Sequence, residues 1–315
     1  MIKTKILFIH VVYNWLEENN MHTSLSTYVK YEQLIRNYVK PYFETLECEN
    51  MSEKTMSDYY KKLMFDSEYV NLSNGNIRTI IMIVNKTCEY AYDNHILSTK
   101  LYIKPCLTKK RPVVSVLNNN EQKKLENYIY ESHDTYSLAI LLALYSGIRI
   151  GELCALKWSD INFNNGSVTI TKTVQRLKCS STNTVTKTQL VISEPKSKTS
   201  YRVIPLPRFV MNYLKDFYKK DELDKFIFSD KEDIPMEPRT LQYAYKKILK
   251  LCNISYLNFH CLRHTFATRC ITTGWDVKTL SEILGHSEIK ITMDYYFHSS
   301  FEFKKQQMNK LKLIS

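Results

Sequence analysis

The sequence lacks several signals that would assign it to a common class. Its eight cysteines include no CxxC pair, and a zinc site built from Cys252, Cys261 and nearby histidines would not have finger spacing, so buried, reduced thiols are the better interpretation. No stretch approaches the roughly 18 apolar residues that a membrane span needs. The P-loop pattern GxxxxGK is absent, and no Asp/Glu cluster argues for a two-metal site. We therefore expect neither a bound metal nor a nucleotide cofactor.

The start of the chain has a basic tip and a short apolar run but no small-residue cleavage site. This pattern predicts a cytoplasmic protein that is not bound to a membrane.

Net charge is the first feature of the sequence that points toward a function. Lys and Arg outnumber Asp and Glu by 44 to 32, giving a formal net charge of +12. Such an excess favours a polyanionic partner, although charge alone does not identify it.

Hydrophobic periodicity divides the chain into two parts. Four helices are predicted before residue 103: over 5–20, from Ser24 or Ser26 to just before Pro41, over 55–65, and after the Asn74–Gly75 turn. Prolines and a basic run then indicate a linker over 104–115. The predicted first domain is therefore helical and covers 1–103.

The second predicted domain, 116–300, is mainly helical with one small antiparallel sheet. A helix is expected after Asn118–Asn120, and Gly147 is expected to end another, with Arg149 opening the next. The segments "SVTITKTVQ", "TQLVISE" and "YRVIPLP" alternate as strands do. The fold class is thus mainly α with a small antiparallel β-sheet, followed by a short basic tail over 301–315.

Four motifs in the second domain carry unusual polar residues. In "NFHCLRHTFATRCI", residues three and four apart share a helical face, so His260, Arg263 and His264 form one polar cluster. The other face is expected to be buried through Phe259, Leu262, Phe266, Ala267 and Ile271. The remaining motifs are "GIRIGEL", "PKSKTSYRVIPL" and "LGHSEIKITMDYYFH", and each one alone has an ordinary structural interpretation.

Together, in this order and spacing, the motifs resemble the tyrosine recombinases, the phage integrase family. The resemblance is close to integrases of phages and conjugative transposons of low-GC Gram-positive bacteria and covers about 117–298. The first domain resembles, more loosely, the family's helical core-binding domain. The resemblance implies a site-specific recombinase that cleaves and rejoins DNA through a 3′-phosphotyrosyl intermediate, without metal or ATP, to integrate and excise a mobile element.

The resemblance also assigns roles to residues. Arg149 and Arg263 would clamp the scissile phosphate, and a planar, permanently charged guanidinium suits that task. His286 would add a hydrogen bond, and His260 would manage the proton of the nucleophile. Glu152 is expected to orient Arg149 rather than to transfer a proton.

For the general acid and for the nucleophile, the same motif contains a second candidate residue. Lys198 is the expected general acid for the leaving 5′-oxygen, and Lys196, two residues away, is its rival. Tyr295 and Tyr296 follow His286 by nine and ten positions, and the family shows both spacings. The "FH" that follows favours Tyr296 as the nucleophile.

Further DNA contacts are expected from the strand region between residues 165 and 203. This region contains one acidic residue, Glu194, and many lysines and arginines. Besides Lys198, these are Lys172, Arg176, Lys178, Lys187, Lys196 and Arg202.

The expected partners are double-stranded DNA, a homotetramer on paired sites, and an accessory DNA-bending or excision factor. The 301–315 tail is expected to pack on a neighbouring protomer. Two alternatives are a type IB topoisomerase-like enzyme, which would relax supercoils without a specific site, and a catalytically silent DNA-binding regulator, which would form no covalent adduct.

Overall fold

Helices account for most of the secondary structure, as the periodicity predicts. The computed structural model describes residues 5–21, 23–69, 72–107, 114–178, 188–194, 198–219, 222–231 and 234–285, together with 305, 308 and 309. It divides into two units, the first comprising Met1–Lys110 and Leu177–Lys187 and the second Arg111–Arg176 and Thr188–Ser315. The predicted fold class, mainly α with small antiparallel strand pairs, is confirmed.

The described residues from 5 to 107 are mainly helical, with one isolated antiparallel bridge between Leu7 and Glu47. The α-helices are α1 (Phe8–Asn20), α2 (Leu25–Leu34), α3 (Lys40–Phe43), α4 (Glu53–Phe65) and α5 (Asn74–Asp93). Ser52 and Ser73 cap α4 and α5 by accepting a backbone N–H three residues on. Phe8, Phe43 and Tyr59 form an aromatic centre, with ring centroids 4.7–5.0 Å apart along the chain Phe8–Phe43–Tyr59.

The predicted end of the second helix before Pro41 is wrong. Between α2 and α3 the backbone takes π-helical bonding over Ile35–Val39, with the Lys40 N–H bonded to the Ile35 carbonyl. Pro41 therefore falls in the first turn of α3. Proline is tolerated in the first turn of an α-helix because its fixed φ is already helical.

The first unit extends past its predicted end at residue 103. The Asn85 side chain bonds both backbone groups of Ile103, the Tyr60 hydroxyl accepts the Cys106 N–H, and Arg78 donates to the Leu107 carbonyl. The start of the 104–115 segment is thus bonded to the first unit. Residues 108–113 and most of the 301–315 tail lie outside the described residues, so the linker and the domain boundaries stay predictions.

The helices of the second unit surround one apolar helix. They are α6 (Asn119–Ser132), α7 (Thr135–Ser146), α8 (Ile150–Cys154), α9 (Arg208–Phe217), α10 (Pro238–Leu251), α11 (His260–Thr272) and α12 (Val277–Leu284). Every residue of α7 from Leu138 to Leu144 is at most 1 % exposed. Because α7 is apolar on all sides, it forms the centre of the core, with α6, α9, α10 and α11 packed on it.

The strands form three small sheets among the described residues, whereas one was predicted. They are β1 (Ile161–Asn162), β2 (Ser167–Ile170), β3 (Thr173–Lys178), β4 (Thr188–Ser193), β5 (Arg202–Pro205), β6 (Ser229–Lys231) and β7 (Ile234–Pro235). Antiparallel β1-β2-β5 is one sheet, while β3-β4 and β6-β7 are separate pairs. The predicted strand "SVTITKTVQ" breaks at residues 171 and 172, so its halves belong to different sheets.

Seven cysteines lie in the described part of the chain, and none of them forms a disulfide. Five are buried, Cys252 is half-buried and Cys106 is exposed. Among the helices of the described residues, none is both long enough and apolar enough to cross a bilayer.

We expect Leu141→Ala to lower the free energy of unfolding of the second unit by about 2–5 kcal/mol, because Leu141 is fully buried in α7 and its truncation leaves a cavity. Leu251→Ala, at the exposed end of α10, is the matched control and should cost less than about 0.5 kcal/mol. Urea unfolding followed by the fluorescence of buried Trp158 measures both. Equal losses would contradict α7 as the centre of the core.

Candidate active site

The turn between α7 and α8 depends on Gly147. Its φ is +65°, and a β-carbon there would lie 2.7 Å from side-chain atoms of Leu284 and Phe266. Only glycine meets both conditions without strain. The turn ends α7, as predicted, and places Arg149 at the start of α8.

Glu152 is a buried carboxylate that joins two arginines. Its Oε1 accepts from Arg149 Nη1 at 2.8 Å, and its Oε2 accepts from Arg202 Nη2 at 2.7 Å and from the Arg149 backbone N–H at 3.1 Å. Burial alone would raise the pKa of Glu152, but the bonds and charges of Arg202 and Arg149 outweigh it and lower the pKa. The carboxylate is therefore ionised, as a residue that orients Arg149 must be.

Arg263 is buried, with only 2 % of the residue exposed. From α11, its Nη1 donates to the Gly147 carbonyl at 2.6 Å and its Nη2 to the Leu284 carbonyl at 2.8 Å. The five apolar residues predicted to bury the rest of this helix are all less than 10 % exposed. Arg263 is thus held by backbone atoms inside the core, not on a solvated helix face.

The carboxyl end of α12 collects three arginines. Arg202 Nε donates to the Ile283 carbonyl at 2.6 Å, Arg263 Nη2 to Leu284 at 2.8 Å, and Arg149 Nη2 to Gly285 at 3.2 Å. The last carbonyls of a helix lack partners within it and carry partial negative charge. Three consecutive carbonyls therefore orient three guanidinium groups.

Gly285 ends α12 in the left-handed conformation, with φ +64°. A β-carbon there would lie 3.1 Å from Arg202 side-chain atoms and from the Thr199 carbonyl. Glycine thus permits both the helix end and the close approach of the 198–200 turn. The next residue, His286, and the candidate nucleophiles Tyr295 and Tyr296 lie outside the described residues.

His260 and His264 lie edge to face on α11, with ring centroids 4.5 Å apart. Displacement of water by protein atoms, followed by the charges of His264, Arg263 and Arg149, lowers the pKa of His260 to about 4. Burial, followed by Arg263, also lowers the pKa of His264. His260 is therefore neutral at pH 7, with one ring nitrogen unprotonated.

A cleft of about 240 Å³ lies beside these side chains. Its lining comprises Ile148, Ile150, Gln242, Asn258, Phe259, His260 and Arg263. Arg263 and His260 both border this cleft. Arg149 lies nearby with 37 % of its side chain exposed.

The two candidate lysines differ in what the structure describes. The backbone of Lys198 opens a 3-10 turn, Lys198–Ser200, just before β5. It therefore lies in a turn that precedes the strand. Lys196 and the Lys198 side chain lie outside the described part, so the choice of general acid stays a prediction.

The structure separates the predicted DNA contacts. Lys172 is exposed between β2 and β3. Arg176 forms a bidentate pair with Glu237, with Nε–Oε1 and Nη2–Oε2 distances of 2.5 and 3.0 Å, and its side chain is 38 % exposed. Lys187 and the Lys178 side chain lie outside the described residues.

The prediction of Arg202 as a DNA contact needs correction. Its side chain is only 5 % exposed and pairs with buried Glu152. The strand pattern placed a basic residue in a basic region, but β5 directs this side chain toward α8 and α12, away from solvent. Its guanidinium group hydrogen-bonds to Glu152 and to the Ile283 carbonyl within the protein.

Sequence reasoning missed a basic face on α10. Six exposed residues recur three and four apart and therefore share one face: Arg239, Gln242, Tyr243, Lys246, Lys247 and Lys250. Arg239 stacks over the Tyr243 ring at 5.5 Å, and Lys246 over Tyr256 at 5.5 Å. The period was readable in "PRTLQYAYKKILKL", and Gln242 also lines the His260 cleft. We call these six residues the α10 basic face.

Comparison with known proteins finds a consistent set of relatives. The phage integrase family matches residues 115–302, and its N-terminal SAM-like domain matches residues 7–64. A tyrosine recombinase XerC-like protein of Caldanaerobacter subterraneus subsp. tengcongensis is 27 % identical, over 97 % of this chain and 82 % of its own.

Two solved structures share the fold. The Tn1549 transposon integrase in complex with a circular intermediate DNA matches with a TM-score of 0.78 at 19 % identity, covering 98 % of this chain and 100 % of that chain. A lambda integrase tetramer bound to a Holliday junction matches with a TM-score of 0.65 at 16 % identity, covering 95 % and 80 %. The family match alone spans more than half of the sequence and includes every motif described above, and the chain therefore belongs to the phage integrase family of tyrosine recombinases.

Proposed function

We propose that this protein is a site-specific DNA recombinase that cleaves and rejoins duplex DNA through a 3′-phosphotyrosyl intermediate, to integrate and excise a mobile element. One observation carries the proposal. The guanidinium groups of Arg149 and Arg263 are held on adjacent carbonyls, Gly285 and Leu284, at one helix end, beside a neutral His260.

The two arginines supply the charge stabilisation. Attack on a phosphodiester places additional negative charge on the non-bridging oxygens, and cations fixed in advance lower that barrier. Arg149 and Arg263 are fixed by carbonyls and by Glu152, so they need no reorganisation during the reaction. His286 adds a hydrogen bond to the same phosphate.

Proton transfer completes the step. The Tyr296 hydroxyl loses its proton toward His260 as its oxygen bonds to phosphorus, because a phenol with a pKa near 10 needs a base. The bond from phosphorus to the 5′-oxygen breaks, and that oxygen keeps the electron pair and takes a proton from Lys198. The phosphotyrosyl ester conserves the bond, so a 5′-hydroxyl can later attack it and rejoin the strand without ATP.

Double-stranded DNA is the proposed substrate, and the positive charge is unevenly distributed along the chain. Residues 1–107 contain twelve Lys and Arg and twelve Asp and Glu, so the whole formal charge of +12 lies in the rest of the chain. The α10 basic face, which reaches the cleft through Gln242, is the described surface that best fits phosphate contacts. Lys172 and Arg176 extend the proposal to the strand region.

We propose a tetramer on paired sites, in the cytoplasm. Structures of the Tn1549 integrase with DNA and of lambda integrase as a tetramer on a Holliday junction support this assembly by likeness of fold. Packing of the 301–315 tail on a neighbouring protomer and an accessory DNA-bending or excision factor belong to the same proposal.

The nucleophile is tested with a suicide duplex. Footprinting on DNA that flanks the gene identifies the site, and a duplex nicked near the cleavage point traps the covalent complex. We expect the wild type and Tyr295→Phe to form the adduct and Tyr296→Phe not to, because adjacent helical residues point about 100° apart and only one can face the phosphate.

All three proteins should bind the site equally, since one hydroxyl adds little to a charge-dominated interface. A nucleotide mapped to Tyr295 would move the nucleophile by one residue. Absence of any adduct with wild type would favour a silent regulator, and relaxation of supercoils without a specific site would favour topoisomerase-like activity.

His260 should titrate near pH 4 in the free protein, well below the ordinary histidine value. Because its folded pKa lies below its unfolded pKa, its contribution to stability is present above about pH 6.5 and is lost as the pH falls toward 4. Imidazole ¹⁵N NMR titration, assigned with His260→Gln, measures the pKa, and His260→Gln should lose less stability over that range. An inflection at 6.5 or higher would contradict the lowered pKa of His260.

The α10 basic face should carry much of the salt dependence of DNA binding. For Lys246→Gln, Lys247→Gln and Lys250→Gln combined, we expect the slope of log affinity against log salt to fall by about 2–3, at roughly 0.9 per lost phosphate contact. The control changes three exposed lysines outside α10, Lys215, Lys219 and Lys225, to Gln with the same loss of charge. Equal slopes for the two triple variants on a 30-bp duplex, within error, would exclude local contact by α10.

A further inference from the structure

Arg202 donates hydrogen bonds from all three of its guanidinium nitrogens. Its Nε donates to the Ile283 carbonyl at 2.6 Å, its Nη1 to the Ser200 carbonyl at 3.1 Å and its Nη2 to Glu152 Oε2 at 2.7 Å. All three nitrogens are therefore engaged, and the side chain is only 5 % exposed. Arg263 is also buried but lines the His260 cleft, whereas Arg202 is not among the residues that line it. Neutralising the charge of Glu152 would need only one of the three Arg202 bonds.

The three acceptors belong to the three elements that carry proposed catalytic groups. Ser200 ends the 3-10 turn that begins with Lys198. Glu152 holds Arg149 through its other oxygen. Ile283 lies in the last turn of α12, three residues before His286.

The backbone of Arg202 is fixed independently of its side chain. Arg202 pairs with Ile170 in the register of β5 on β2, so its Cα is anchored in the three-stranded sheet. The guanidinium donates to the Ser200 carbonyl in the preceding turn, to Glu152 in α8 and to the Ile283 carbonyl in α12. It thereby links the turn to both helices. The Thr199 carbonyl, in the same turn, lies 3.1 Å from the position of a β-carbon on Gly285.

We infer that Arg202 is a positioning residue that fixes the Lys198 turn against Arg149 and the end of α12, so that the Lys198 ammonium can reach the leaving 5′-oxygen. The inference rests on the proposed function and deepens it. Arg202 itself touches neither substrate nor reacting atoms. Its effect passes through the general acid, and this dependence can be separated from a loss of the phosphate clamp.

The test compares two suicide duplexes that carry the footprinted site, one with the ordinary 5′-bridging oxygen and one with a 5′-bridging sulfur. A thiolate leaves without a proton, so the sulfur duplex removes the need for a general acid but still needs the arginine clamp. We expect Arg202→Met to cleave ordinary DNA about 10²-fold or more slowly, the scale of a lost general acid. On the sulfur duplex it should cleave within about threefold of wild type, as Lys198→Ala should.

Glu152→Gln is the matched control, because it weakens the hold on Arg149 and should slow both duplexes by a similar factor. If Arg202→Met is slowed equally on both duplexes, Arg202 acts through Arg149 or through general stability, and the inference is overturned. Arg202→Lys keeps a positive charge beside Glu152 but cannot make three bonds. Arg202→Lys should therefore also be rescued by the sulfur duplex. If thermal melting shows that Arg202→Met is unfolded, Arg202→Lys alone tests the positioning role.

The possible failures are distinguishable. If the wild type forms no covalent complex on either duplex, the proposed function fails. If wild type and Lys198→Ala behave as described but neither Arg202 variant is rescued by sulfur, only the positioning role fails. Rescue of Lys196→Ala in place of Lys198→Ala would place the acid outside the turn that Arg202 holds and would also overturn the inference.

Discussion

The site depends on hydrogen bonds from three arginines to the carboxyl end of α12. A helix ends with carbonyls that have no partner inside it, and guanidinium groups are donors that can satisfy them while matching their partial negative charge. Here Ile283, Leu284 and Gly285 receive Arg202, Arg263 and Arg149, which come from β5, α11 and the start of α8. A change in where α12 ends would misplace all three arginines together. Gly285 fixes that end, since its positive φ stops the helix and its lack of a side chain admits Arg202 and Thr199.

The charge balance of this arrangement suits a phosphate. Among the described residues whose contacts define the site, Glu152 is the carboxylate, and it is shared by Arg149 and Arg202 while Arg263 is held by carbonyl dipoles. The surroundings of His260 are therefore positive, which together with displaced water keeps its imidazole neutral. A positive site and a neutral imidazole are therefore found side by side.

Much of the fold was readable because its signals are local. The start of α6 after Asn118, the helix break at Gly147 and the apolar periodicity of α11 each depend on a few neighbouring residues, and the structure confirms them. Pro41 was misjudged because the π-helical turn before it changes which N–H groups need partners. The α10 basic face was missed although its period is local. Its functional meaning depends on the nearness of Gln242 to the His260 cleft, which no local pattern gives.

The sequence by itself determined the order and identity of the motifs, and with them the family, since residue types at fixed spacings need no coordinates to be recognised. It also placed His260 and Arg263 on one helical face, because that follows from the helical repeat. Only the tertiary structure decided which basic residues are buried. Arg202 and Arg176 lie in the same basic stretch, yet Arg202 meets Glu152 and Ile283, 50 and 81 residues away, while Arg176 remains partly exposed beside Glu237. The burial of a side chain depends on which distant segments pack against it, and that is set by the assembled core, not by neighbours along the chain.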